Sequence, residues 1–232
     1  MHDGGMCGRF ALDSSMNELI EEFVADGGDY RHWEPSYNIA PTDPVPVVIE
    51  RHRDGATTRS IEPGRWSLVP SWSKELKLKF PTFNARSEGI AEKASFKSSV
   101  LNKRALIPAS GYYEWHTVGS TKTPHFIRPA EGIVAFAGLY SWWRASADAE
   151  WQLTATILTM DTVPHLAEIH DRNPVMLPRD WWDDWLDPTL TGDQFFVDAA
   201  VAASVPLAES LGFHEVGPVR GNERALMQPL AS

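Results

Sequence analysis

The β-forming runs of this chain are spread along its whole length and are not separated by regularly spaced helices. They occur at 45–50, 65–69, 104–109, 111–116, 133–143 and 152–160, rich in branched, aliphatic and aromatic residues. A parallel sheet needs a crossover, usually helical, between successive strands. This order therefore points to an α+β fold with a largely antiparallel sheet rather than a doubly wound one. Helices are fewer. Met16, Leu19, Ile20, Phe23 and Val24 share one helical face, which predicts a helix over 14–25, capped by Asp13 or Ser14 and stopped by Gly27-Gly28. Pro178 opens a second helix through Trp185, and 191–203 forms a third. The stretch 86–102 is polar with helical portions, and 117–124 and 144–150 read as exposed hairpin loops. With no internal repeat or low-complexity linker, one domain is the simplest organisation for 232 residues that are 43 % hydrophobic.

No run of 18 apolar residues occurs, so no transmembrane helix is expected. The segment Met1-His2-Asp3-Gly4-Gly5 lacks the basic-then-apolar pattern of a secretory signal, and a cytoplasmic protein is the expectation. One cysteine excludes an intramolecular disulfide and a cysteine-rich metal site. A net charge of −10 argues by itself against nucleic acid, but the charge is polarised. Residues 65–104 carry nine basic and three acidic side chains, a net +6; residues 145–200 carry eleven acidic and two basic, a net −9. Such a molecule can offer a basic face to phosphate while staying acidic overall, although charge blocks are often only solvated surface. Of the ten tryptophans, most belong in a core and a few can serve as stacking platforms for bases.

Cys7 directly follows Met6. If the mature chain starts at Cys7, one residue bears an amine and a thiol on adjacent carbons. The amine, with a pKa of roughly 7.7–8.0, is partly neutral at pH 7 and can attack an aldehyde. The thiol can then close a five-membered thiazolidine, which no internal cysteine can do; the plainer alternative is a buried small hydrophobe. Glu114, set among aromatics in Gly111-Tyr112-Tyr113-Glu114-Trp115, is either a desolvated proton-transfer group or an outward-facing strand residue. His170, beside Asp171 and Arg172, suits proton shuttling, or is a plain loop histidine; His165 is a weaker candidate. Asn84 and Arg86 offer an amide and a guanidinium for a sugar hydroxyl and a phosphate. No HExxH or comparable spacing occurs, so no metal is expected.

Taken together and in order, several segments resemble the SOS-response-associated peptidase (SRAP) family of abasic-site processing proteins. They are Met6-Cys7-Gly8-Arg9-Phe10, Asn38-Ile39-Ala40-Pro41, Trp66-Ser67-Leu68-Val69-Pro70-Ser71-Trp72 and Asn84-Ala85-Arg86. Then follow Phe96-Lys97, Arg104-Ala105-Leu106-Ile107-Pro108-Ala109, Gly111-Tyr112-Tyr113-Glu114-Trp115 and His170-Asp171-Arg172-Asn173-Pro174. The resemblance implies one α+β domain over 6–232, with a barrel-like, mainly antiparallel β core flanked by helices; residues 1–5 would be an extension or tag absent from the mature protein. It implies a monomer, without cofactor or metal, acting at the nucleoid or replication fork on single-stranded DNA containing abasic sites. Cys7 would form the thiazolidine with the ring-opened sugar, Asn84 would hold that sugar, Glu114 would orient the amine and move protons, and His170 would assist ring opening. Arg9, Arg86 and Arg172 would contact phosphates, Trp72 would pack at a kink, Asn38 and Pro41 would line the groove, and Trp66 and Lys97 would complete the DNA-binding set. The family name reflects a proposed autoproteolysis that exposes the cysteine. This chain departs from the family pattern in the five residues before Met6, at Ser73, Ala94 and Asn173, in the longer lysine-bearing stretch 74–80, and in Val216-Gly217-Pro218-Val219-Arg220. Two other readings stay open: a thiol peptidase with Cys7 as nucleophile and His170 as base, and a non-covalent single-strand binder using 65–104.

Overall fold

The computed structural model describes residues 8–23, 25 and 33–230. In chain order the elements are β1 (Arg9–Leu12), α1 (Met16–Phe23), β2 (Ser36–Ile39), β3 (Pro44–Arg53), β4 (Ala56–Trp66), β5 (Asn84–Arg86), α2 (Lys97–Asn102), β6 (Arg104–Ala109) and β7 (Gly111–Val118). They continue with β8 (Thr121–Arg128), β9 (Val134–Trp143), β10 (Gln152–Asp161), β11 (Arg172–Pro174), α3 (Trp182–Leu186), α4 (Gln194–Glu209) and β12 (Gly212–Glu215). The α+β expectation holds, and all but two strand pairings are antiparallel: β4 and β5 run parallel to β10.

The strands form two sheets. One has the order β12-β8-β7-β1-β2. In the other, β11-β10-β4-β3-β6-β9, the last strand also pairs with β10. The first half of β7, Gly111 to Glu114, is buried on both sides of its sheet. Side chains alternate along a strand, and Phe10 and Tyr112 pack into the main core while Ala11 and Tyr113 join a second cluster with Phe126 and Val216. Phe10 links the sheets through edge-on contacts with Trp66 at 5.0 Å and Phe136 at 5.9 Å between ring centroids.

Several boundaries differ from the sequence expectations for identifiable reasons. The runs at 45–50 and 65–69 are ends of one long hairpin, Pro44–Arg53 against Ala56–Trp66. Its turn, Asp54-Gly55, has φ of 52° and 80°, the left-handed pair that a two-residue hairpin turn requires. Its outer half is solvated and polar and so lacks an apolar signal, while Ser67 to Val69 lies beyond the strand. The expected loop at 117–124 is almost all strand, leaving Gly119 and Ser120 as the turn between β7 and β8. In α1, Leu19 and Phe23 are buried as expected, but the cap is Ser15: its amide donates to Glu18 Oε2 at 2.7 Å and its Oγ accepts from the Glu18 amide at 3.4 Å, a reciprocal capping box. Val24, Gly27 and Gly28 lie outside the described residues. The helix expected at 191–203 is longer, Gln194–Glu209, with Asp193 accepting from the Phe196 amide.

Arg104, counted in the sequence as part of a basic phosphate-facing segment, is 1 % exposed. Its guanidinium donates to the carbonyls of Val100, Leu101, Trp185, Asp187 and Leu190, tying β6 to α2 and α3. Burial pushes its pKa down, as expected for a cation surrounded by dipoles rather than carboxylates.

Candidate functional site

Cys7 and Met6 lie outside the described residues, so the site is built from what surrounds the strand that begins two residues after Cys7. In β1, Arg9 sits opposite Tyr113 of β7 and Phe10 opposite Tyr112. Arg9 Nη1 donates to Asn38 Oδ1 at 2.8 Å, and Asn38 Nδ2 donates to the Gly221 carbonyl at 2.7 Å. Asn222 completes the clamp. Its Oδ1 accepts from the Tyr37 amide at 2.6 Å and from Ser36 Oγ at 3.1 Å. Tyr113 donates its phenol to the Tyr37 carbonyl at 2.8 Å, and burial pushes its pKa up, keeping the phenol a donor. Gly221 and Asn222 were not singled out in the sequence, because their role depends on a contact between segments more than 180 residues apart.

Glu114 is 1 % exposed, so the outward-facing alternative is excluded. It falls one strand period beyond Tyr112, on the same face of β7. That face meets Trp66 through Phe10. Trp66, expected to touch DNA, is a core residue at 1 % exposure. Its indole N–H donates to the Phe83 carbonyl at 2.8 Å, and its ring meets Phe83 at 5.7 Å. The physical reason is volume: a large apolar ring between two sheets gains more from packing than from solvent contact. Trp66 thereby connects β1 to the residue immediately before Asn84.

Asn84 is 8 % exposed and opposite Ile157 on β10, while Arg86, opposite Thr159, is exposed. At the same end of β10, Arg172 of β11 is 6 % exposed. It donates to both Glu88 oxygens at 2.7 and 2.9 Å, to the Thr159 carbonyl at 2.8 Å and to Asp161 Oδ1. Burial disfavours the Arg172 charge, but the two carboxylates more than offset this and hold its pKa up. The same hydrogen bond pulls Glu88 below the ordinary carboxylate range. The guanidinium expected to contact a phosphate is thus paired with two largely exposed carboxylates, while Arg86 stands exposed at the same corner. His170 Nδ1 accepts from the Arg172 amide at 3.0 Å and lies 3.1 Å from Asp171 Oδ1. A neutral ring uses the first contact with Nε2 protonated; a charged ring can donate to Asp171 instead. His165 is pinned at 3.0 Å to the Leu211 carbonyl, and the Asn173 side-chain Nδ2 donates to the Pro174 carbonyl.

Trp72 is 65 % exposed and Phe80, which the sequence reading did not single out, 71 % exposed. Trp143 anchors their loop by donating to the Ser73 carbonyl at 2.8 Å. Lys97 is exposed at the start of α2, and Lys93 donates to the Arg86 carbonyl at 3.0 Å. Pro41 is half-buried in the turn after β2, where the Thr42 amide donates to the Trp66 carbonyl at 2.7 Å. Among the described residues no helix is long and apolar enough to cross a membrane, and no group of three or more His, Cys, Asp or Glu side chains is placed to hold a metal ion.

A model of the SOS response associated peptidase (SRAP) family matches residues 6–219. The chain belongs to the SRAP family. Among its curated relatives, the Bacillus subtilis protein named abasic site processing protein YoaM is 38 % identical over 82 % of this chain and 83 % of its own length. The Gallus gallus abasic site processing protein HMCES is 33 % identical over 82 % of this chain and 62 % of its own. An X-ray structure of a Bacteroides thetaiotaomicron protein superposes with a TM-score of 0.80, covering 97 % of this chain and all of that one at 23 % identity, and so speaks to the fold alone.

Proposed function

We propose that this SRAP chain captures abasic sites in single-stranded DNA by a covalent bond through Cys7. The observation that carries the reading is a buried carboxylate beside the strand that starts two residues after that cysteine. A chain extends at most about 3.6 Å per residue, so Cys7 is tethered close to Arg9, whose neighbour strand β7 carries Glu114 at 1 % exposure. The names of the relatives, which specify abasic-site processing, support the same substrate.

The chemistry follows from groups within that tether. A ring-opened abasic sugar exposes an aldehyde. The Cys7 amine adds to its carbon, the carbinolamine loses water to give an imine, and the thiol adds across the C=N bond, its proton passing to nitrogen. One water is released and a thiazolidine remains. As the neutral amine adds, Glu114 would accept the proton from the nitrogen that has become cationic, and return it to the departing hydroxyl. His170 would assist ring opening with its Nε2, Asn84 would hold the opened sugar, and Arg9 and Arg86 would take the flanking phosphates. Arg172, already paired, would position β11 and His170 rather than touch DNA. Trp72 and the exposed lysines Lys74, Lys77, Lys79 and Lys97 would supply stacking and charge. Removal of residues 1–6, by the chain itself or otherwise, is required to free the amine.

The test is incubation with an abasic oligonucleotide followed by heat and denaturing electrophoresis without borohydride. Wild-type protein gives a stable adduct and Cys7→Ala gives none. Glu114→Ala slows formation by ~10²–10⁴-fold. An acetylated Cys7 that still forms the adduct would sink the proposal, and turnover of peptide substrates by acetylated protein would favour the thiol-peptidase reading.

A further inference from the structure

Two adjoining depressions beside β3, β4 and β9 contain none of the residues assigned above. They share Trp142 and Trp151, and their volumes are about 740 and 490 Å³. Thr42 and Arg65 are among the residues lining the larger; Arg51 and Arg53 line the smaller. We propose that this continuous groove binds the single strand flanking the lesion, a deepening that rests on the DNA-capture reading.

Three observations carry it. First, each tryptophan has a guanidinium over its ring: Arg51 lies 5.4 Å from the Trp142 centroid and Arg144 4.5 Å from that of Trp151. Arg51 is held there by Glu62 at 2.8 Å, and Arg144 by donation to the Ala147 carbonyl at 2.6 Å. Such pairs order the rings as platforms, and Trp151 is left 53 % exposed. Second, the charge is locally inverted. Three arginines (Arg51, Arg53 and Arg65) and two glutamates (Glu62 and Glu150) line the depressions on a molecule of net charge −10. Exposed rings beside cations match a polynucleotide, whose bases stack and whose phosphates pair, without sequence preference. Third, the groove adjoins the proposed site: Thr42, which lines it, directly follows Pro41, and its amide is bound to the Trp66 carbonyl.

The test uses oligothymidylates of about 5 and about 25 nucleotides, a choice set by typical single-strand site sizes, each with a central tetrahydrofuran in place of the abasic sugar so that only equilibrium binding is read. Trp151→Ala lowers affinity for the long strand about tenfold and leaves the short one unchanged, whereas Trp151→Phe, which keeps a stacking face, retains most of the affinity. Arg53→Gln with Arg144→Gln lowers the salt dependence of long-strand binding by about 1.4 in log–log slope. The rate of adduct formation on a short, reactive abasic strand is unchanged in all three variants. Equal loss at both lengths, or no loss at either, overturns the proposal; the second is the result expected of a groove that takes a protein instead. If wild-type protein forms no adduct while the length-dependent loss persists, the capture reading fails and the groove stands.

Discussion

The two corners of the site are built from different materials. Around β1, β2 and β7 the side chains are fixed by strand register and by neutral or singly charged hydrogen bonds, ending in a clamp from Gly221 and Asn222. Around β5, β10 and β11 they are fixed by an ionic cluster in which a nearly buried Arg172 gathers Glu88, Asp161 and a carbonyl. Trp66 is the shared wall between them. The first corner is organised by shape and should tolerate changes of salt and pH. The second is organised by charge and should not. It also leaves a clear division of labour, with Arg172 holding the corner together and Arg86 facing outward.

The largest effect should come from the shared wall. Trp66→Ala is expected to cost about 3–5 kcal/mol in chemical denaturation, because it empties a core position between two sheets. If Trp66→Ala instead leaves stability intact and weakens only DNA binding, the assignment to the core is broken. Next, Arg172→Ala should lower stability by about 1–3 kcal/mol, with the loss of a charged hydrogen-bond hub. Glu88 and Asp161 are largely exposed and can be rehydrated, which keeps the figure below that of a fully buried pair.

Acid should separate the corners. Glu88 has its folded-state pKa pulled below the ordinary value of 4.5 by Arg172. A carboxylate lowered in this way contributes stability above its unfolded pKa, and that contribution is lost as pH falls through the folded value. Thermal melts between pH 6 and pH 3 should therefore show a drop that is smaller in Glu88→Gln, while Asn222→Ala should leave the pH profile parallel to wild type. At neutral pH, Asn222→Ala should cost only about 1 kcal/mol, since it removes hydrogen bonds that are exposed. Its rate of adduct formation should fall more than its stability, because the clamp orients Asn38 and through it Arg9. The smallest change should follow Lys97→Ala: unaltered melting and a salt slope of DNA binding reduced by about 0.7.

Much of this was legible in the chain itself. The strand runs at 104–109, 133–143 and 152–160 carry continuous apolar signals, because both faces of these strands are buried, and they appear as β6, β9 and β10. The hairpin arms Arg51 to Thr58 and Thr117 to Thr123 were not legible, because solvated strands look like loops. Glu114 could be singled out from its aromatic neighbours, but only the two-sided burial of β7 decided between a buried carboxylate and a surface one. For Trp66 and Arg104, residue type pointed outward while packing drew both inward: an indole and a guanidinium suit DNA and core equally well, and only the carbonyls around them distinguish the two. The ion pairs of Arg172 were hidden for a related reason, since its partners Glu88 and Asp161 lie 84 and 11 residues away.

The central claim is that the chain acts through a free amine and thiol on one residue. Intact mass spectrometry of the protein after incubation with an abasic oligonucleotide measures both halves of it. The account predicts a polypeptide beginning at Cys7 whose mass rises by that of the oligonucleotide less one water. A permanent adduct on a chain that still carries Met6 would contradict it.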